Sequence, residues 1–240
     1  ITLLEAVKKL RGKPGTTVTL TLFRDGETEL KEAALERAII SIQSVREATV
    51  LEDHIGYIRL SDFREKTTDD LAAAIERLKE QKIDGVILDL RNNPGGLLDV
   101  AVSVAELFLE RDQLVVTTKG RLRSQNQEMH ARISGPVNAL PLVVLINEGS
   151  ASASEIVAGA IQDHRRGIIL GTKSHGKASV QTIFPLRDGS ALRLTTSAYF
   201  TPNGRSIHGE GILPDVEVPF ERPPVQQAKA PTGEDVFERV

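Results

Sequence analysis

Apolar residues recur with a helical period at the start of the chain and then switch to a two-residue alternation. Leu3, Val7 and Leu10 share one helical face. Thr2 and Glu5 have the spacing of a capping box at its start, and Gly12 and Pro14 stop it. Val18, Leu20 and Leu22 then alternate with Thr17, Thr19 and Thr21, which predicts a strand with one buried face. Asp25-Gly26 carries the signal of a hairpin turn. One helix and one or two strands cannot enclose a core, so residues 1–30 read as the end of a larger module.

From about Ile40 the pattern becomes an alternation of apolar runs and helical stretches. Gly56 to Leu60 predicts a strand, and Thr67 is placed to cap a helix carrying Leu71, Ile75 and Leu78. Val86 to Leu90, Leu114 to Val116, Leu142 to Ile146 and Ile168 to Leu170 read as buried strands. Leu97 to Leu109 and Ala153 to Arg166 read as helices between them, with Arg165 and Arg166 suited to the negative end of the second helix dipole. Continuous apolar strands alternating with helices predict an α/β layer structure around a largely parallel sheet. After Lys177 the pattern turns to β: Val180 to Leu186, an Asp188-Gly189 turn, then Ala191 to Phe200. Residues 221–240 hold three of the 11 prolines and little periodicity, and are expected to be a tail.

Composition narrows the chemistry. With 30 basic and 33 acidic residues the net charge is −3, so no global field favours nucleic acid or an anionic membrane. The absence of cysteine excludes disulfides, thiolate metal sites and a cysteine nucleophile, while leaving the compartment open. No apolar run reaches the roughly 20 residues of a membrane helix. Aromatic residues make up 4% of the chain, with no Trp and only Tyr57 and Tyr199 as tyrosines. An aliphatic core is therefore expected, and recognition by base stacking is not.

Three segments carry candidate chemistry. In Leu142 to Asp163 a buried strand runs through a Gly/Ser/Ala turn directly into a helix. A hydroxyl there lies beside main-chain N–H groups and the positive helix end, where a serine can attack a carbonyl while N–H groups hold the oxyanion. The same serines also suit plain helix capping, and the Ala/Gly run also suits close helix packing. A serine nucleophile needs a base. His54, His130, His164, His175 and His208 sit in no recognised local motif, and no G-x-S-x-G elbow surrounds these serines. A lysine made neutral by burial is the other option, and Lys177 stands out in GTKSHGKASVQ after a buried strand. Gly171 to Ala178 comes one residue short of a phosphate-binding loop, since Ala178 stands where Ser or Thr should follow the lysine. Ser174 to Lys177 spells S-x-x-K, but Gly176 breaks the helical turn that pair requires. The third segment, Asp89 to Gly96 (DLRNNPGG), ends a buried strand in a Gly-Gly turn whose N–H groups are free to approach a ligand, unless it is simply a strand-to-helix connection.

In this order and spacing, DLRNNPGG, NEGSASASEIVAGAIQD, GTKSHGKASVQT and TPNGRSIHGEGILPDVEV resemble the carboxyl-terminal processing, or tail-specific, serine proteases of peptidase family S41, over nearly the whole chain to about Phe220. The resemblance implies a crotonase-like α/β protease core over residues 31–220, preceded in residues 1–30 by the C-terminal part of a PDZ domain. It implies Ser152 as nucleophile, Lys177 as general base, Gln181 orienting the lysine, and an oxyanion hole from the N–H groups of Gly95, Gly96 and Ala153. Two positions depart from the family pattern beside the base: His175 replaces a bulky aromatic residue and Ala178 replaces glycine. No metal or other cofactor is implied. The implied partners are protein or peptide substrates and their C-terminal tails, with an adaptor protein and a homo-oligomer as further options and no nucleic acid. The implied location is the cell envelope. Two other readings remain open: a catalytically silent peptide-binding scaffold of the same fold, and a nucleotide-binding protein using Gly171 to Ala178.

Overall fold

The computed structural model describes residues 2–24, 29–39 and 43–219 and divides into two compact units, Ile1–Ile42 and Gln43–Val240. In the first, α1 (Leu3–Leu10) opens with the expected capping box: Thr2 Oγ1 accepts from Glu5 N at 3.3 Å, and Glu5 Oε2 accepts from Thr2 N at 2.8 Å. Strands β1 (Thr17–Leu22) and β2 (Lys31–Glu36) pair antiparallel, with Thr17 opposite Glu36. Arg37 ties helix to sheet by donating to the carbonyls of Lys9, Leu10 and Thr17. The KEAALE sequence of β2 lacks the alternation that marks β1, and pairing alone makes it a strand. The division between units accordingly falls after residue 42 rather than at 30. The turn expected at Asp25-Gly26 and the tail 221–240 lie outside the described residues.

The second unit is a mixed α/β fold with two sheets. Its six-stranded sheet contains β3 (Val45–Val50), β4 (Ile55–Leu60), β5 (Gly85–Asp89), β8 (Leu142–Ile146), β9 (Ile168–Gly171) and β12 (Val216–Glu217). Their spatial order is β12-β9-β8-β5-β4-β3, parallel throughout except for the β3–β4 pair. The apolar runs of β5 and β8 are buried along most of their length, as central parallel strands require. The second sheet has the order β10-β11-β6-β7 and is antiparallel, from β6 (Leu114–Gly120), β7 (Gln127–His130), β10 (Ser179–Pro185) and β11 (Ala191–Phe200). Helices α2 (Thr67–Glu80), α3 (Leu98–Glu106) and α4 (Ala153–Asp163) complete the unit. Helices α3 and α4 pack on each other, and α4 touches both β9 of the large sheet and β6 of the small one. The core is aliphatic as expected: among the largest fully buried side chains only Phe63 and Phe108 are aromatic.

Two local expectations are corrected. Thr67 is the first residue of α2 rather than its cap; its buried hydroxyl accepts from Arg64 N and donates to Ser44 Oγ at 2.7 Å. Helix α4 ends at Asp163, and Arg166 turns away from it to donate to the carbonyls of Phe108, Val137 and Leu140. Burial lowers the pKa of that guanidinium from its ordinary value, and the three carbonyls supply its hydrogen bonds. Gly159 explains the small residues of α4, since a Cβ there would meet Thr201 Cγ2 at 2.9 Å. The register of β5 with β8 sets Asp89 beside Leu145, so the loops leaving these two parallel strands emerge side by side. In an open parallel sheet that edge is where sites form.

Candidate active site

The two loops are sewn together by buried amides. Asn147, at the end of β8, accepts from Asn92 N at 2.8 Å and from Gly149 N at 3.0 Å, and its Nδ2 donates to Asn92 Oδ1. Fully buried Asn93 donates to Leu60 O, while its own carbonyl accepts from Ala151 N at 3.0 Å and Ser154 Oγ at 2.9 Å. Ser150 Oγ donates to Leu90 O at 2.8 Å. Each bond is worth about 1 kcal/mol net, and a broken one leaves a buried polar group costing more. The effect is to fix the DLRNNPGG loop against the serine turn.

Ser152 sits at the mouth of α4 with φ 57° and ψ −113°, a backbone conformation that L-residues avoid and that persists only when the surroundings enforce it. It is also the N-cap of α4, with Glu155 reaching back to its main-chain N–H as in a capping box. Glu155, one turn into the helix and buried, does the holding. Its Oε2 accepts from Ser152 N at 2.7 Å and from Lys177 N at 3.0 Å; its Oε1 accepts from Ser174 Oγ and Gly176 N, both at 2.6 Å. One oxygen thus holds the main-chain nitrogens of both Ser152 and Lys177, which brings them within about 6 Å of each other. The segment 206–212 backs the lysine loop: Ser174 Oγ accepts from Ile212 N, and Gly209 N donates to Gly176 O. Glu155 was not singled out from the sequence. The Ser-x-x-Glu spacing of Ser152 and Glu155 is the available signal, but it predicts a helix start and not the reach to Lys177.

A solvent-open cleft of about 470 Å³ unites the expected residues, lined by Gly95, Gly96, Ser152, Lys177 and Gln181, the last on β10. No histidine lines it, and His164 instead bonds Leu114 O at 2.7 Å. Gly95, at φ +95°, passes so close to the serine turn that a Cβ would lie 2.8 Å from both Ala153 N and Ser152 Cβ. Two expectations change. Lys177 is exposed in the cleft rather than enclosed by aliphatic side chains. The N–H of Gly95 donates to Asn93 Oδ1 at 2.9 Å, whereas among the described residues no acceptor is bonded to Gly96 N or Ala153 N. Of the two departures, His175 is exposed and holds Ser150 O through its N–H, while Ala178 is buried and accepts from Tyr199 N. Lys177 leads into β10, so the segment after Gly171 opens no helix of the kind a phosphate loop needs.

Beneath the glycine turn, buried Asp89 accepts from Tyr57 Oη at 2.7 Å and from Arg91 N, Nε and Nη2. Burial works to raise the Asp89 carboxyl, but the bonds from Arg91 and Tyr57 outweigh it and hold the group below its ordinary value. Burial, reinforced by the bond to Asp89, pushes the Tyr57 hydroxyl up to about 12. This cluster anchors the exit of β5, five residues before Pro94 and the glycines, to β4.

The model of peptidase family S41 matches residues 54–218. A carboxy-terminal-processing protease of Bartonella bacilliformis is 49% identical over 90% of this chain and 50% of its own length. A carboxyl-terminal-processing protease of Synechocystis sp. is 40% identical over 97% of this chain and 54% of its own. The chain therefore spans about half the length of these curated relatives. Among solved structures, a photosystem II D1 C-terminal processing protease superposes with a TM-score of 0.65 at 33% identity, covering 91% of this chain and 60% of that one.

Proposed function

Since this chain belongs to peptidase family S41, we propose that it carries the catalytic core of a serine endopeptidase that cleaves protein substrates near their C-termini, with Ser152 and Lys177 as a dyad and Gln181 orienting the lysine. The observation that carries this reading is the shared cleft: Ser152 and Lys177 line it together, their main chains held by one carboxylate oxygen, with no histidine present.

In this mechanism neutral Lys177 Nζ takes the proton from Ser152 Oγ as the oxygen bonds to the scissile carbonyl carbon. The carbonyl oxygen becomes an oxyanion beside the unbonded N–H groups of Gly96 and Ala153. The ammonium of Lys177 then gives its proton to the departing amine, the C–N bond breaks, and an acyl-serine remains. Water attacks the ester, Lys177 takes its proton, and the returned proton restores the Ser152 hydroxyl as the carboxylate product leaves. Lys177 is exposed in the cleft, where a bound peptide would exclude water from the reacting groups.

The reading extends to a crotonase-like core and to residues 1–30, with α1 and β1, as the C-terminal part of a PDZ domain, a module that adds a peptide carboxy-terminus to its sheet. It also extends to action at the cell envelope. Among the described residues no helix is long and apolar enough to cross a membrane. A fluorophosphonate probe tests the nucleophile: covalent mass on the peptide containing Ser152, absent in Ser152→Ala, is the expected result. Failure of the folded protein to label would favour the silent scaffold instead.

A further inference from the structure

The cleft carries a charge arrangement that the dyad does not use. Arg193 lines it beside Lys177, and among the described residues no acidic residue does, in a chain whose net charge is −3. Among the described residues Arg193 has no ion pair and no hydrogen-bond acceptor, whereas other arginines are engaged: Arg91 with Asp89, Arg132 with Glu106, Arg205 with Asp163. Its place is set by strand register. Gln181 on β10 faces Thr195 on β11, and Ile183 faces Arg193, so Arg193 stands two residues further out on the same face of the hairpin. Two residues of strand span about 7 Å, and an extended peptide advances about 3.4 Å per residue. Arg193 therefore stands about 7 Å beyond Gln181 along the wall of the cleft. Leu98, Val180 and Ile183 add apolar surface to the same cleft.

We propose that Arg193 is a specificity-determining residue that receives a carboxylate of the bound peptide within a few residues of the scissile bond. This rests on the peptidase reading and adds a substrate class to it. The planar guanidinium matches a carboxylate by two parallel N–H···O bonds, and an unpaired guanidinium in a cleft without anions is what such a ligand would complete. The carboxylate has two sources, an Asp or Glu side chain or the peptide's own C-terminus.

The test uses four peptides of one sequence: acid or amide side chain at the second and third positions from the cleaved bond, each with a free or amidated C-terminus. The ratio of kcat/KM for the acid over the amide form is expected to fall about fivefold in Arg193→Gln, mainly through KM, and to recover only in part in Arg193→Lys, which keeps the charge but not the two parallel bonds. Arg193→Glu should invert the preference toward a lysine-bearing peptide. The pair whose ratio moves identifies the source of the carboxylate. Equal loss on all four peptides, or no loss on any, overturns the proposal. Binding of the same labelled peptides to Ser152→Ala, followed by fluorescence anisotropy, repeats the comparison without turnover. Acid preference there, with no cleavage by the parent protein, would sink the peptidase reading while keeping the carboxylate site.

Discussion

The sharpest structural consequence concerns Glu155→Gln, a change of one atom. The carboxylate accepts four hydrogen bonds, two on each oxygen, from Ser152 N, Lys177 N, Gly176 N and Ser174 Oγ. An amide keeps one accepting oxygen and turns an NH2 toward two of those donors. Two buried donors are then left unpaired, at about 1–3 kcal/mol each, so the native arrangement is destabilised by about 2–6 kcal/mol. If the fold absorbs this globally, Tm falls by roughly 5–20 °C for a domain of this size. If the loops part locally instead, the cost appears at the site: Ser152 and Lys177 lose their common anchor, and kcat falls by about a hundredfold or more. Parallel measurement of Tm and of kcat and KM on a fluorogenic peptide separates the two, and fluorophosphonate labelling of Ser152 should slow in step with kcat. A variant with unchanged Tm, turnover and labelling rate would refute the view that this carboxylate joins the serine turn to the lysine loop.

Gly95→Ala should cut kcat/KM by about a hundredfold, since the positive φ and a Cβ 2.6 Å from Ala151 O force the glycine turn off the serine turn; near-parental turnover would contradict that packing. Tyr57 offers a pH test, because its folded pKa of about 12 stands above the ordinary 10.0. The stability it contributes is present below pH 10 and is lost as pH rises toward 12. With two tyrosines, both raised, and no Trp, phenolate absorbance of the folded protein should stay low at pH 10, and Tyr57→Phe should remove half of the titration. Half the phenolate signal developing at pH 10 in the folded state would contradict the buried Tyr57–Asp89 bond.

What the sequence disclosed and what it hid differ in kind. Buried strands such as VILDL and LVVLI are legible because burial on both faces leaves a continuous apolar run. Strands β3 and β7 carry no such signal: VREATV and QEMH owe their conformation to partners across the sheet, and KEAALE of β2 is legible only through the hairpin turn expected before it. Ser152, Lys177 and the Gly95-Gly96 turn stand in short ordered motifs, and they come together on one cleft. The ties that bring them together are long-range and therefore invisible along the chain, as with Glu155 to Lys177 across 22 residues and Asn147 to Asn92 across 55. Exposure escaped the sequence as well, because the small residues flanking Lys177 permit close approach of the backbone without enclosing the side chain.

The central claim is that a serine and a lysine in one cleft hydrolyse peptide bonds. Its most direct test is the cleavage rate of an unstructured peptide by the parent protein, Ser152→Ala and Lys177→Ala, with circular dichroism and Tm on each. The account predicts parental cleavage and none above background in either variant, with folds and Tm values alike. Cleavage by either folded variant at the parental rate would contradict it.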